Sequence, residues 1–154
     1  MTPCINIAKK ANITYTIHEY HHDPSAKSYG DEVVEKLGIP ASKVFKTLVV
    51  KTSNDDLAVA VVPVSTRLNM KLIAKATKSK KACMAEATEV ERTTGYILGG
   101  VSPLGQKKKL KTIIDISARD YPTIFISAGR RGLEIELTPQ DLARLTQGIF
   151  AQVS

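Results

Sequence analysis

Two apolar runs dominate the pattern, 44–51 and 57–64, separated by the polar cluster Ser53-Asn54-Asp55-Asp56. Runs of that length bounded by turn residues predict two strands joined as a hairpin. Alternation over 13–17 predicts another strand. Further strands are predicted over 110–115, 123–128 and 133–137, with short ones over 82–85 and 149–153. Gly129-Arg130-Arg131-Gly132 reads as a tight turn between two of them. Helices are predicted over 3–11, 30–37, 70–77, 88–94 and 138–146. Thr2 before Pro3, Ser28, Asn69, and Thr138 before Pro139 supply their N-caps. Gly38 with Pro40, and Gly95, supply stops. The polar stretch 18–27 reads as a loop. Hairpins mixed with helices, without regular strand–helix alternation, predict an α+β fold with a mixed sheet. No repeat, linker or low-complexity segment divides the 154 residues, so one domain over 1–154 is expected.

Composition adds exclusions. The hydrophobic fraction of 43% is ordinary for a globular protein. No apolar run reaches the length of a membrane span, and the N-terminus lacks the pattern of a secretory signal. Cys4 and Cys83 form no metal spacing and no disulfide framework, which fits a reducing cytoplasm. The net charge of +7 is clustered. Arg67, Lys71, Lys75, Lys78, Lys80 and Lys81 form one block without an acidic residue, and Lys107, Lys108, Lys109 and Lys111 form a second. Such blocks attract polyanions, nucleic acid first among them, or form a solvated face that keeps the chain soluble.

Candidate chemistry is sparse. Lys46 interrupts the run Val44-Phe45-Lys46-Thr47-Leu48-Val49-Val50, where a cation is costly unless it is paired or borders a cavity. The loop Gly99-Gly100-Val101-Ser102-Pro103-Leu104-Gly105 is of a kind that exposes backbone N–H groups. Together they suggest a pocket for a polar or anionic small group. Ser102 lacks the nucleophile-elbow pattern and an evident histidine partner. The loop lacks the Gly-Lys-Ser/Thr ending of a P-loop. His18, His21 and His22 are the only histidines, and His21-His22-Asp23 reads as a polar surface loop. Cys4 and Cys83 read as packed thiols. No metal site and no cofactor are expected. An enzyme built from these parts works by orientation, backbone donors and one cation.

Three stretches carry a resemblance. Phe45-Lys46-Thr47-Leu48-Val49 after Leu37-Gly38-Ile39-Pro40, the segment from Thr94 through the glycine loop to Gly105, and Ser127-Ala128-Gly129-Arg130-Arg131-Gly132-Leu133 resemble the bacterial YbaK family in order and separation. These are free-standing aminoacyl-tRNA deacylases similar to the editing domain of bacterial prolyl-tRNA synthetase. The resemblance implies a mixed, partly closed six-stranded sheet with surrounding helices. It implies clearance of cysteine from tRNA for proline, and from other cysteinyl-tRNAs, with prolyl-tRNA synthetase as partner. A related subgroup prefers alanine. In this frame Lys46 and Gly100 are the catalytic positions, Lys46 holding the substrate end and the loop offering N–H groups to the ester carbonyl. Phe45, Ser102, Pro103, Gly105, Ser127 and Gly129 are expected around the substrate, with Tyr20 and Tyr29 at the pocket mouth and Glu136 as the acidic position. The substrate's own thiol is the implied nucleophile, releasing a thiolactone; water-mediated hydrolysis of another aminoacyl-tRNA such as alanyl-tRNA(Pro) is the alternative, as is a non-catalytic tRNA- or nucleotide-binding module.

Overall fold

The computed structural model describes residues 1–26 and 28–154. Lys27, the last residue of the loop expected over 18–27, lies outside the described residues. Helices begin where side-chain oxygens meet otherwise unpaired amides. Thr2 accepts from Ile5 N–H at the start of α1 (Pro3–Ala11), and Ser28 from Asp31 N–H at the start of α2 (Tyr29–Leu37). Asn69 does the same for α3 (Met70–Ala76), and Thr138 for α5 (Pro139–Thr146). The fourth helix, α4 (Ala87–Thr94), starts without a side-chain cap and ends at the left-handed Gly95.

The strands are β1 (Thr16–Glu19), β2 (Phe45–Thr52), β3 (Leu57–Pro63), β4 (Ala82–Met84), β5 (Lys111–Asp115), β6 (Ile124–Arg130), β7 (Leu133–Leu137) and β8 (Ile149–Ala151). They form two sheets, β1-β7-β6 and β4-β2-β3-β5-β8. The smaller sheet is antiparallel throughout; the larger is mixed, with β3, β5 and β8 parallel. The expected single six-stranded, partly closed sheet is therefore corrected to sheets of three and five strands, not closed. The two meet at one parallel bridge, Val44 to Phe125. The next pair in that register, Lys46 and Ser127, does not continue the ladder, and both residues line a cavity instead.

Apolar residues on both faces explain why β2 and β3 read as continuous hydrophobic runs. Phe45, Val49, Val59 and Val61 enter the main core with Ile114, Ile124, Ile126, Ile135 and Leu142. Val50, Ala58, Ala60 and Val62 face the other way, against Ile73 of α3. A third cluster, Val33, Val44 and Phe125, seats α2 beside the junction of the sheets.

Three further corrections concern edges. The strand expected over 13–17 pairs only from Thr16 to Glu19, against Glu136 to Leu133. Ile13, Tyr15 and Ile17 alternate because they pack against the main core, and burial alone produces that pattern. The loop expected from residue 18 thus starts two residues later. Cys83 is exposed on the short edge strand β4, while Cys4 is buried.

Candidate active site

The unzipped seam between β2 and β6 holds a cavity of about 250 Å³. Lys46, Thr47 and Leu48 form one wall, with Val64 beyond the end of β3. The first turn of α2 contributes Tyr29, Gly30 and Asp31 after its cap Ser28. Leu98, Gly99 and Val101 of the glycine loop close it, with Ser127 of β6.

Lys46 Nζ donates to the Thr66 carbonyl at 2.9 Å and makes no ion pair among the described residues. Burial depresses its pKa, and nearby Arg67 adds to the effect. An ammonium without a carboxylate, beside a second cation, favours an anionic or strongly polar occupant. Across the cavity, Gly100 N–H donates to the Ile97 carbonyl at 2.9 Å and Gly100 O accepts from Ser127 Oγ at 3.2 Å. That turn leaves the N–H groups of Gly99 and Val101, both cavity residues, without a protein acceptor among the described residues. Gly100 itself is buried, and a Cβ there would lie 2.8 Å from Arg130 Cα. No side chain fits between the loop and the β6–β7 hairpin.

Beneath Tyr29 lies Glu134, fully buried on β7. Tyr29 Oη donates to its Oε1, and its Oε2 has no partner among the described residues. Burial pushes the Glu134 carboxyl up to about 8, against the pull of the Tyr29 hydrogen bond and Arg131. The acid is therefore mainly protonated at neutral pH. Burial, reinforced by Glu134, also raises the Tyr29 phenol well above its usual range. A second carboxylate, Glu32, is 1% exposed and binds Arg131 Nη2 at 3.0 Å, His22 Nδ1 at 2.7 Å and Asp23 N–H at 2.8 Å. It ties α2, the His21-His22-Asp23 loop and the hairpin turn into one unit behind the cavity.

Residues 23–145 match the family described as the aminoacyl-tRNA editing domain. The chain belongs to that family, the family of the YbaK proteins. An Enterococcus faecalis protein provisionally named as a Cys-tRNA(Pro)/Cys-tRNA(Cys) deacylase, EbsC, is 37% identical to this editing domain over 153 residues, 99% of this chain and 93% of its own length. The uncharacterised Bacillus subtilis protein YwhH is 28% identical over 116 residues, 75% of this chain and 73% of its own. A crystal structure of a protein provisionally described as a trans-editing enzyme for prolyl tRNA synthetase superposes with a TM-score of 0.81 at 20% identity, covering 100% of this chain and 98% of the other. That last likeness is one of fold.

Of the residues expected at the site, the editing domain brings Tyr29, Lys46 and Ser127 together around the cavity, with Gly100 directly behind it. Phe45 points to the opposite face of β2, into the main core. Ser102 is fully buried and its Oγ accepts from Leu104 N–H at 3.2 Å. Pro103 and Gly105 lie toward α1, where a Gly105 Cβ would sit 2.6 Å from the Pro3 carbonyl carbon. Gly129 packs against Tyr96 and Thr2. Tyr20 is half-buried outside the cavity lining, its Oη without a partner among the described residues and its pKa raised by burial. Glu136 accepts from Thr123 Oγ1 at 2.6 Å and pairs with His18 Nε2 at 2.9 Å. Burial works against its ionised form, but those two hydrogen bonds outweigh it and hold the pKa below the usual value. Glu134, two residues earlier, is the carboxyl that touches the cavity wall. The signal was the one that singles out Lys46: an ionisable residue inside an apolar strand, Leu133-Glu134-Ile135.

Proposed function

We propose that this editing domain is a trans-acting deacylase that clears cysteine from tRNA(Pro), and from other cysteinyl-tRNAs, in the cytoplasm alongside prolyl-tRNA synthetase. The observation that carries the reading is the Lys46 ammonium, without an ion pair among the described residues, across the cavity from a loop whose Gly99 and Val101 N–H groups have no protein acceptor among them. The relative provisionally named a Cys-tRNA(Pro)/Cys-tRNA(Cys) deacylase supports the substrate. Lys46 orients the aminoacylated end, and the two N–H groups receive the ester carbonyl oxygen as it gains negative charge. Leu48, Val64 and Leu98 form the apolar wall for a small side chain.

The reacting nucleophile in this reading is the substrate thiol. Its sulfur attacks the ester carbonyl carbon, a C–S bond forms, the C–O bond to the ribose breaks, and the ribose oxygen takes the proton. Among the described residues no histidine lines the cavity; Tyr29 and Ser127 donate their hydroxyls, Ser28 Oγ caps α2, and Thr47 Oγ1 is buried with no base beside it. Burial holds the Cys4 thiol at about 12, so it stays protonated. The test is a panel of cysteinyl-, alanyl-, seryl- and prolyl-tRNA incubated with the protein, with products identified by mass. Release of a thiolactone from cysteinyl-tRNA, with seryl-tRNA slow, is expected. Free cysteine as the first product would replace thiol attack by water attack, and preference for alanyl-tRNA would replace the substrate.

A further inference from the structure

The last part of the first basic block, Lys78 to Lys81, and the second block, far apart in sequence, meet at the end of the larger sheet opposite the cavity. The segment after α3 is strapped to the β2–β3 turn. Ser53 N–H donates to Lys81 O at 2.9 Å, and Ser53 Oγ accepts from the N–H groups of Lys80 and Lys81, each at 3.1 Å. The second block is fixed to α4, with Lys107 N–H on Thr94 O at 2.8 Å and Lys108 N–H on Thr93 O at 3.1 Å. Lys111 then opens β5 opposite Ala58. Between the blocks lies a second cavity of about 240 Å³, bordered by Thr52, Thr77, Lys108, Lys109 and Lys111, with Asp56 as its one lining carboxylate. Lys78, Lys80, Lys81, Lys108, Lys109 and Lys111 are all exposed, and none forms an ion pair among the described residues. Their backbones are held in place while their charges go unanswered, so an extended polyanion gains there without ordering the chain first.

Resting on the deacylase reading, we infer that this rim binds the phosphate backbone of the RNA strand leading to the esterified end at Lys46. From Lys46 to Thr52, β2 spans about 20 Å at ~3.4 Å per residue, so the rim lies within reach of an extended strand whose end sits in the first cavity. Lysines meet phosphate as point charges, so the contact positions the strand without reading its bases.

The experiment measures binding of uncharged tRNA(Pro) to the full chain by fluorescence anisotropy between 50 and 200 mM salt. Lys80→Glu/Lys81→Glu and Lys108→Glu/Lys109→Glu reverse the rim. Arg119→Glu/Arg144→Glu makes the same change in net charge outside it, and thermal melts show that each variant folds. Each rim pair should weaken binding about tenfold or more and lower the slope of log Kd against log salt by about 2, while the control stays within about twofold. Rim variants that bind like wild type, or a control that loses as much, would overturn the inference. A cysteinyl ester of adenosine, too short to reach the rim, should be cleaved equally by wild type and rim variants, while KM for cysteinyl-tRNA rises only in the variants. Equal losses on both substrates would also overturn it. If wild type cleaves neither substrate, the deacylase reading fails, and the Kd series still decides the rim.

Discussion

Replacing Glu134 by Gln should turn a pH-dependent liability into a pH-independent neutral group. The wild-type carboxyl has a folded-state pKa of about 8 against an ordinary 4.5, because burial opposes its charge. The folded chain therefore holds this proton more tightly than the unfolded chain. Below pH 4.5 both states are protonated, and the group has no effect on stability. Between 4.5 and about 8 the unfolded state releases the proton first, so stability falls as pH rises. Above about 8 the penalty is complete. At about 1.4 kcal/mol per tenfold change it amounts to a few kcal/mol, with about 5 kcal/mol as its upper reach. That is a sizeable part of a total stability of about 5–15 kcal/mol. Gln keeps an Oε1 acceptor for Tyr29 Oη and places NH₂ where the protonated acid has its O–H, so it mimics the neutral form. Urea unfolding at pH 5, 7 and 9 is the assay. The two proteins should agree within about 1 kcal/mol at pH 5, and the variant should be more stable by a few kcal/mol at pH 9. Parallel curves across that range would refute the protonated Glu134. Glu134→Ala should instead lose stability at pH 5, since Tyr29 Oη is left without its acceptor, and that loss should shrink as the pH rises toward 9.

Lys46→Ala should lower deacylation by about 100-fold or more while the melting curve stays close to wild type; full activity in the folded variant would remove Lys46 from the reaction. Gly100→Ala should destabilise by about 1–3 kcal/mol, because its Cβ would meet Arg130 Cα at 2.8 Å. It should also reduce kcat through displacement of Gly99 and Val101, and unchanged stability and kcat would show that the loop has room to spare. Thr138→Ala removes the cap of α5 and should cost about 1 kcal/mol, or ~2–4 °C in Tm, with activity per folded molecule intact.

The parts of the fold legible in the sequence are those governed by local chemistry. Thr2-Pro3, Ser28, Asn69 and Thr138-Pro139 mark helix starts because a side-chain oxygen and a fixed proline torsion act within one turn. Sheet membership depends on contacts between distant segments, so the separation into three and five strands was not legible. Tyr15 and Ile17 show the same limit, since burial against a core and pairing in a ladder leave the same alternation. In the site, Lys46 stood out because a cation conflicts with its apolar neighbours. The glycine–proline loop was harder. A glycine that frees backbone for a ligand and one that lets α1 approach, as Gly105 does against Pro3, have identical side chains. Glu134 and Glu136 are the same residue type two positions apart, and what separates them is set by distant segments: Tyr29 binds the buried one, His18 and Thr123 the other.

The seam that stops after Val44 and Phe125 makes the occupant a mechanical element of the protein. A molecule seated between Lys46 and Ser127 stands where the next rung of the ladder would be, and it touches both sheets at once. An occupant there adds a link between β2 and β6 beyond the Val44–Phe125 bridge and the core they share. Whatever binds only this arrangement of the two sheets stabilises the fold that holds them together.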